Sequence, residues 1–226
     1  MEEINLKDSM LQSTKEVFET LAGAKYLKKT LSEYTLVGGT ALSIYLKHRM
    51  SEDLDFFKNG INLDKAKLFY FLRKNGIKYE ILAEPSSEQI DFLISNVKVS
   101  FFATGFDCLK NKKNSKYKNI EIASIELITA MKVYTLSLRS KFRDYYDLYV
   151  LNKELFSIDE MYAISKDILH MGTFKLFSQQ LVYIDDIQEK GIDQHLNPKY
   201  RVSLTDIKEH FVKEIEKKIT SKRANG

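Results

Sequence analysis

The sequence lacks long hydrophobic runs and has little cysteine. No stretch of about 18 uncharged apolar residues occurs among the 226 residues, so we expect no membrane-spanning helix. The single cysteine, Cys108, cannot form an internal disulfide, which fits a reducing compartment. The first residues, Met1 to Asn5, show neither the basic region nor the apolar core of a secretory signal. These absences predict a cytoplasmic protein.

Proline and glycine are also scarce, at two and nine residues, which excludes a collagen-like or low-complexity chain. Hydrophobic residues make up 44% and aromatic residues 12%, enough to build a core and to exclude disorder. The net charge of +4 is a mild bias. Two lysine-rich clusters could bind a phosphate backbone or form solvated faces, namely Lys110, Lys112, Lys113, Lys116 and Lys118, and Lys213, Lys217, Lys218, Lys222 and Arg223.

The first half of the chain alternates helical and strand-like patterns. Apolar spacing predicts helices over residues 8–30, 41–48 and 63–74. Short apolar or alternating runs predict strands over residues 34–37, 53–57, 78–83, 89–94 and 97–103. Ser95 and Asn96 separate the last two runs and indicate a tight hairpin turn.

The pattern changes near residue 122, after a lysine- and asparagine-rich stretch over 110–119 that we interpret as a loop. From Ser124 onward the spacing is helical, with interruptions at Gly172, Gly191 and Asn197-Pro198. We therefore predict an α+β protein with two domains. Residues 1–122 form a small mixed sheet with flanking helices, and residues 123–226 form a helical bundle.

Two features between the first predicted strand and the second suggest chemistry. Gly38 and Gly39 stand between a strand and a helix, where the backbone can approach an anion and the helix N-terminus offers unpaired N–H groups. Thr40 adds a hydroxyl at the same place. Asp53 and Asp55 are alternate residues of a strand, so they project to one face. Mg²⁺ binds one or two such carboxylates together with substrate phosphate oxygens.

Each feature alone has a simpler explanation, because Gly-Gly is usually a turn and Asp-x-Asp a solvated strand edge.

Other kinds of catalytic or metal site lack support in the sequence. No nucleophile elbow, Walker loop or dinucleotide fingerprint occurs. The four histidines occupy no metal-ligand spacing, and we expect surface or boundary positions for His48, His170, His195 and His210.

The combination resembles the signature of the DNA-polymerase-β-like nucleotidyltransferases, and the flanking residues resemble the AbiEii/AbiGii toxin family within that superfamily. The resemblance extends over residues 36–150. It rests on Gly38-Gly39-Thr40-Ala41-Leu42, His48-Arg49, Ser51-Glu52-Asp53-Leu54-Asp55-Phe56-Phe57, Val97-Lys98-Val99-Ser100-Phe101-Phe102, Ala130-Met131-Lys132 and Arg143-Asp144-Tyr145-Tyr146-Asp147-Leu148-Tyr149. Residues 151–226 carry no motif that we identify.

The resemblance implies a polymerase-β-like catalytic core with a nucleotide bound between the two halves. Gly38, Gly39 and Thr40 would hold the triphosphate, and Asp53 and Asp55 would bind two Mg²⁺ ions.

Four further residues fall in the matched blocks. Lys132 would neutralise phosphate charge, Asp144 would lie near the active site, and Arg49 and Ser51 would contribute to nucleotide binding. From the sequence alone, Lys132 lies in an apolar helix row and either snorkels to the rim or points into a cleft. Arg143 and Asp144 alone would be interpreted as an exposed ion pair.

The chain departs from the superfamily at the third carboxylate, where Ser100 occupies the strand position. Asp91 on the preceding strand, or Asp144 or Asp147 from the helical half, could replace it.

The resemblance implies transfer of an NMP from an NTP to an acceptor hydroxyl. The family consists of toxins of toxin–antitoxin pairs, so the expected acceptor is RNA such as a tRNA 3′ end, and a cognate antitoxin is an expected partner. A protein or small-molecule acceptor is an alternative. A catalytically inactive RNA- or partner-binding module on the same fold is another.

Overall fold

A computed structural model describes residues 4–110, 114–139, 141–170, 172–189 and 191–224 of the chain. The chain forms two compact units, Met1–Ile125 and Glu126–Gly226. The strands are β1 (Thr35–Val37), β2 (Leu54–Asn59), β3 (Glu80–Ile81), β4 (Gln89–Ile94), β5 (Val97–Thr104), β6 (Ser115–Tyr117) and β7 (Ile120–Ile122). The helices are α1 (Gln12–Ala22), α2 (Gly38–Leu46), α3 (Lys65–Lys74), α4 (Ile125–Leu136), α5 (Phe142–Glu154), α6 (Ile158–Leu169), α7 (Phe174–Val182) and α8 (Leu204–Ala224).

The first unit contains one seven-stranded mixed sheet in the order β3-β4-β5-β2-β1-β7-β6. Strand β2 lies in the middle, antiparallel to β1 and parallel to β5. Strand β7 runs parallel to β1 on its other side. The sheet thus places the start of β2 beside the end of β1, because these two strands run in opposite directions.

One face of this sheet is apolar and carries the core. Burial alternates along β4, where Phe92 is fully buried between partly exposed neighbours. On β5 Phe101 is fully buried, and the alternation is interrupted only at Ser100, which is buried on the opposite face. Phe56 of β2 stacks on Phe101 at 5.2 Å between ring centroids. Helix α3 covers this face through Phe69, whose ring meets Phe92 edge-on at 5.8 Å. The opposite face carries the polar and half-buried residues of the same strands.

The β4–β5 hairpin is confirmed, because Ser95 and Asn96 both have positive φ angles, 48° and 62°, as a type I′ turn requires. The predicted strand over 78–83 shortens to two residues of β3. The loop interpretation of residues 110–119 was wrong in part, because β6 lies within it and pairs with β7 as a hairpin. The polar composition of this hairpin conceals its strands, since only Ile120 and Ile122 are buried there.

The predicted helix over residues 8–30 was too long. Helix α1 ends at Ala22, and the backbone N–H of Gly23 donates to the Glu19 carbonyl as the helix stops. Leu27 then takes a left-handed conformation before a 3-10 segment over Lys28–Glu33. The apolar spacing typical of a helix continues across this break, but the backbone leaves the α-helical conformation there.

All regular secondary structure in the described residues of the second unit is helical, and an irregular segment with one 3-10 turn joins α7 to α8. Helix α5 is buried over most of its length, and α8 packs against it through Ile207 and Phe211, which are both fully buried. Ser157 and Glu160 form a capping box at the start of α6. The α+β class with a helical C-terminal half is thus confirmed. No helix in the described part of the chain is long and apolar enough to cross a membrane.

Candidate active site

The junction between β1 and α2 contains no loop. Val37 ends the strand and Gly38 begins the helix, with a φ angle of 71° at Gly38 that disfavours a side chain. No side chain caps this helix end. The first N–H groups of a helix have no partner within the helix, and they favour an anion at that place.

Gly38 directly faces the second carboxylate of the Asp-x-Asp pair. Val37 is the register partner of Asp55 across the antiparallel β1–β2 pair. A Cβ atom on Gly38 would lie 2.9 Å from Asp55 Oδ2. The predicted phosphate-binding turn and the predicted carboxylate are therefore in contact, and only glycine leaves room between them.

Gly39 faces a buried guanidinium group. Arg49 is 3% exposed, and its Nη1 donates to the Met50 carbonyl at 3.1 Å. A Cβ atom on Gly39 would overlap Arg49 Nη2 and would lie 3.5 Å from Ser51 Oγ. Arg49 thus occupies the space that a serine side chain would need at position 39, and it places a cation beside the N-terminus of α2.

Thr40 connects the start of α2 to the segment that carries the first carboxylate. Its buried hydroxyl donates to the backbone carbonyl of Asp53 and lies 2.7 Å from Ser51 Oγ. In the structure this hydroxyl anchors the start of α2 to the segment before β2, and its role at a phosphate stays a prediction. The N-terminal segment adds support, because the Thr14 hydroxyl donates to the Glu52 carbonyl.

Asp53 and Asp55 present the oxygen ligands that Mg²⁺ prefers. Both side chains are partly exposed, in contrast to the fully buried Leu54 between them. Within the described ranges, no group of three or more histidine, cysteine or acidic side chains could hold a metal ion. Two carboxylates fit Mg²⁺ when phosphate oxygens and water complete its coordination.

Strand register gives the position of Asp91, a candidate for the third carboxylate. Asp55 of β2 is the register partner of Ser100 on β5, and Ser100 is the register partner of Asp91 on β4. The three side chains therefore form one row on the same face of the sheet. Ser100 is fully buried between the two acids. Asp91 lies two strands, or about 10 Å, from Asp55 by the usual strand spacing.

Asp91 is engaged by its neighbours. Gln89 Nε2 donates to both carboxylate oxygens at 3.1 and 3.2 Å, and Lys98 Nζ lies 3.0 Å from Oδ2. Burial by itself raises the pKa of this carboxyl. The hydrogen bonds from Gln89 and the nearby Lys98 ammonium group outweigh burial and hold the pKa below its ordinary value.

The second unit contains a buried ionic cluster built from the other predicted residues. Lys132 of α4 is 7% exposed, and its Nζ lies 3.0 Å from Asp144 Oδ1 and 2.6 Å from Asp147 Oδ2. Both acids belong to α5 and are almost fully buried. Arg139 adds a second cation, with Nε 3.3 Å from Asp144 Oδ2. We call these four residues the ionic cluster.

The ionic cluster corrects two interpretations from the sequence. Lys132 does not snorkel to a rim, because its ammonium group is buried and paired with Asp144 and Asp147. Its direction into a nucleotide cleft stays a prediction. Asp144 does not form an exposed ion pair, because it is buried against Lys132 and Arg139. The expectation for histidines was also wrong at His48, which is fully buried.

Arg139 was missed by sequence analysis. It lies between α4 and α5, and no pattern in the sequence predicts that it pairs with Asp144. Asp147 was considered only as a substitute third carboxylate. Its spacing of three residues from Asp144 is a usable signal, because residues at this spacing share a helix face.

Comparisons with known proteins show the family and a relative of the chain. The family described as "Nucleotidyl transferase AbiEii toxin, Type IV TA system" matches residues 27–75 and 104–219. An Aquifex aeolicus relative, "Uncharacterized protein aq_aa25", is 28% identical over 164 residues, which cover 70% of this chain and 77% of that protein.

Two solved structures share the fold at low sequence identity. JHP933 from Helicobacter pylori is 20% identical with a TM-score of 0.54, and the match covers 95% of this chain and 98% of that one. MenT4, a nucleotidyltransferase toxin from Mycobacterium tuberculosis, is 12% identical with a TM-score of 0.52, and the match covers 89% and 84%. At these identities the likeness shows the fold alone.

Proposed function

The chain belongs to the AbiEii family of nucleotidyltransferase toxins, and we propose that it transfers an NMP from an NTP to an acceptor hydroxyl with release of pyrophosphate. We further propose that the reaction depends on Mg²⁺ and takes place in the cytoplasm. The observation that carries the proposal is the contact between Gly38 and Asp55 Oδ2. It brings a helix N-terminus suited to phosphate beside a carboxylate suited to a divalent cation.

Three groups of the first unit would bind the triphosphate. The N–H groups at the start of α2 would donate to its oxygens, with Gly38 and Gly39 allowing close approach of the backbone. The buried Arg49 would supply positive charge beside Gly39, and a guanidinium pairs well with phosphate oxygens. Thr40 and Ser51 would act indirectly, because their hydroxyls fix the segment before β2.

Asp53 and Asp55 would hold the metal ions. Bound Mg²⁺ supplies Lewis-acid polarisation of the transferred phosphoryl group and neutralises its charge. The side chains themselves contribute a fixed pair of oxygen ligands, since Leu54 between them is buried and locks the strand. Removal of either carboxylate would leave Mg²⁺ with one carboxylate ligand from the protein instead of two.

In the second unit, Lys132 would neutralise phosphate charge, as the family resemblance implies. Asp144 and Asp147 would hold its ammonium group in one position through the two ion pairs. We assign these two acids to positioning Lys132. Neither is assigned here as the general base.

The acceptor that we propose is RNA, such as the 3′ end of a tRNA, and the cognate antitoxin is a proposed partner. Family membership supports a toxin role, and the basic surface of the chain supports a polyanionic acceptor. A protein or small-molecule hydroxyl would require the same chemistry at the phosphate. The acceptor test below distinguishes these substrates.

Incubation of the purified chain with each α-³²P-labelled NTP, Mg²⁺ and either total RNA, total protein or an aminoglycoside tests the proposal directly. We expect label in the RNA fraction, with loss of labelling for Asp55→Asn and on chelation with EDTA. Glu84→Gln, at an exposed acid of the same unit, is the matched control. Absence of label in every fraction with all four NTPs would contradict the transferase proposal.

A second candidate function is an RNA- or partner-binding module without catalysis. It is favoured by one observation, the presence of Ser100 between Asp55 and Asp91 in the row where the superfamily has a carboxylate. Calorimetric titration with Mg²⁺ and with an NTP discriminates the two functions. An enzyme binds both and loses Mg²⁺ binding in Asp53→Asn, whereas a module binds neither.

A further inference from the structure

The first unit carries a basic surface that lies outside the residues assigned to catalysis. It combines the segment 25–29, before β1, with the segment 73–78, at the end of α3. These segments contain six cations and no acid, namely Lys25, Lys28, Lys29, Arg73, Lys74 and Lys78. All six side chains are exposed. We call these six residues the basic patch.

Tyr26 and Asn75 join the two segments of the basic patch. The backbone N–H of Tyr26 donates to Asn75 Oδ1 at 3.0 Å, and Asn75 Nδ2 donates back to the Tyr26 carbonyl at 3.0 Å. Asn75 Nδ2 also donates to the Phe71 carbonyl at 2.8 Å. This reciprocal pair fixes cations from distant parts of the sequence side by side.

The cations of the basic patch have no acidic partner among the described residues, whose ion pairs lie elsewhere. Three lysines of the two lysine-rich clusters differ, because Lys116 pairs with Glu121, Lys217 with Glu214 and Lys218 with Asp159. Among the described residues of these clusters, Lys118 and Lys213 form no ion pair and are isolated from each other in the sequence. Lys112 and Lys113 of the first cluster lie outside the described residues. The same holds for the side chains of Lys110, Lys222 and Arg223.

Two tyrosines accompany the charges. Tyr26 is 61% exposed and Tyr70 is 47% exposed. Lys74 Nζ lies 5.4 Å from the centre of the Tyr70 ring. Arg73 and Lys74 also complement the C-terminal dipole of α3, but that explanation does not extend to the four lysines outside the helix. Unpaired cations with exposed aromatic rings are the combination that binds an RNA backbone and its unstacked bases.

We propose that the basic patch binds the phosphate backbone of the RNA acceptor at a distance from the transfer site. This inference rests on the proposed function for the identity of the ligand. The 3-10 segment that begins at Lys28 leads into the start of β1, whereas Gly38 follows the end of β1. The Lys28 segment thus enters β1 at the end opposite Gly38, and because β1 has three residues these two ends lie about 10 Å apart. An RNA backbone that extends beyond the acceptor hydroxyl can reach both places.

Fluorescence anisotropy with fluorescein-labelled bulk tRNA, without NTP, tests the patch apart from catalysis. The test variant is Lys28→Glu with Lys78→Glu. The control is Lys166→Glu with Lys175→Glu, which makes the same change in net charge at exposed lysines of the second unit. Lys28→Gln with Lys78→Gln follows as a gentler variant, and thermal melts verify that all three fold.

We expect the test variant to weaken tRNA binding about 10–50-fold near 0.15 M salt and to reduce the slope of log K against log salt by about 1.5–2, as loss of two phosphate contacts requires. The Gln variant should show a smaller loss and the control variant little change. Equal affinities and slopes for the test and control variants would overturn the proposal. So would a loss of binding to phosphatidylserine vesicles with tRNA binding intact.

The outcomes separate this inference from the proposed function. Patch-dependent tRNA binding without any nucleotide transfer would support the patch and contradict the transferase. Transfer to tRNA with an unchanged KM in the test variant would support the transferase and contradict the patch.

Discussion

The guanidinium group of Arg49 occupies the space in which a side chain at position 39 would lie. A Cβ atom on Gly39 would overlap Arg49 Nη2, and the guanidinium group is buried and donates to the Met50 carbonyl. Arg49 therefore cannot retreat without losing a buried contact. Glycine at position 39 therefore allows the Arg49 guanidinium to lie against the start of α2.

Gly39→Ala should displace Arg49 and lower kcat/KM at least tenfold, which is about 1.4 kcal/mol of transition-state stabilisation. The free energy of unfolding should fall by about 1–3 kcal/mol, as expected for overpacking. Labelled-NTP transfer and urea unfolding measure the two effects. Gly105→Ala is the matched control, because a Cβ atom there meets nothing within 4 Å. Equal activity of the two variants would show that the position of Arg49 is unimportant.

Asp53→Asn and Asp55→Asn should each abolish transfer, and with it any growth inhibition on expression. Each should leave the fold intact or slightly more stable. Two nearby carboxylates repel by about 1–4 kcal/mol at effective dielectrics between those of water and a protein surface. Removal of one charge relieves that repulsion but removes a metal ligand. If Asp53→Asn melted the protein while Mg²⁺ had no effect on the wild type, the carboxylates would be structural.

Lys132→Met should destabilise the second unit by about 3–5 kcal/mol, because it leaves Asp144 and Asp147 buried without their shared cation. Transfer should fall as well, since we assign the ammonium group to phosphate. Urea unfolding of Lys132→Met, Asp147→Asn and the double variant forms a cycle. The double variant should recover part of the loss. Strictly additive effects would show that the ion pair contributes no coupling energy.

Asp91→Asn should reduce transfer less than threefold, because Asp91 is two strands from Asp55 and is engaged by Gln89 and Lys98. A larger loss, at the level of Asp55→Asn, would instead identify Asp91 as the third carboxylate.

The lowered pKa of Asp91 also predicts that its carboxylate contributes to the free energy of unfolding. That contribution is present above the ordinary aspartate pKa and is lost as the pH falls through the lower folded value. The difference in free energy of unfolding between wild type and Asp91→Asn should therefore be present at neutral pH and shrink as the pH falls below the ordinary aspartate pKa.

His210 should make the second unit less stable in mild acid. Burial lowers the pKa of this imidazole, which lies 2.7 Å from Asn152 Oδ1 and packs on Tyr149. The unfolded chain takes up a proton first as the pH falls below about 6.5. Stability therefore declines from there until the lower folded pKa is passed. Urea unfolding at pH 7.5 and 5.5 should show a smaller decline for His210→Gln than for wild type. The exposed His170→Asn should match wild type.

Much of the fold follows from the sequence because secondary structure is encoded by residues that are close along the chain. The alternation around Phe92 and Phe101 predicted β4 and β5 within one residue of their ends, and Ser95-Asn96 predicted their turn. The predicted helix over 8–30 was too long, because the backbone changes at Gly23 and Leu27 while the apolar pattern continues. The β6–β7 hairpin was not predicted, because its polar residues are typical of a loop.

The sequence by itself indicated Gly38, Gly39, Asp53 and Asp55 as candidates, since the pattern from Leu36 to Asp55 encodes a strand, a helix and a second strand. The family resemblance of the sequence added Arg49, Ser51, Lys132 and Asp144. Only the tertiary structure decided what each residue contacts. The row from Asp55 through Ser100 to Asp91 depends on strand register, and the pairing of Tyr26 with Asn75 joins residues 49 positions apart. The two-residue turn at Ser95-Asn96 fixes the register of β4 on β5. The register of β2 on β5 and the long-range packing follow from burial of the whole core, and no local pattern in the sequence specifies them.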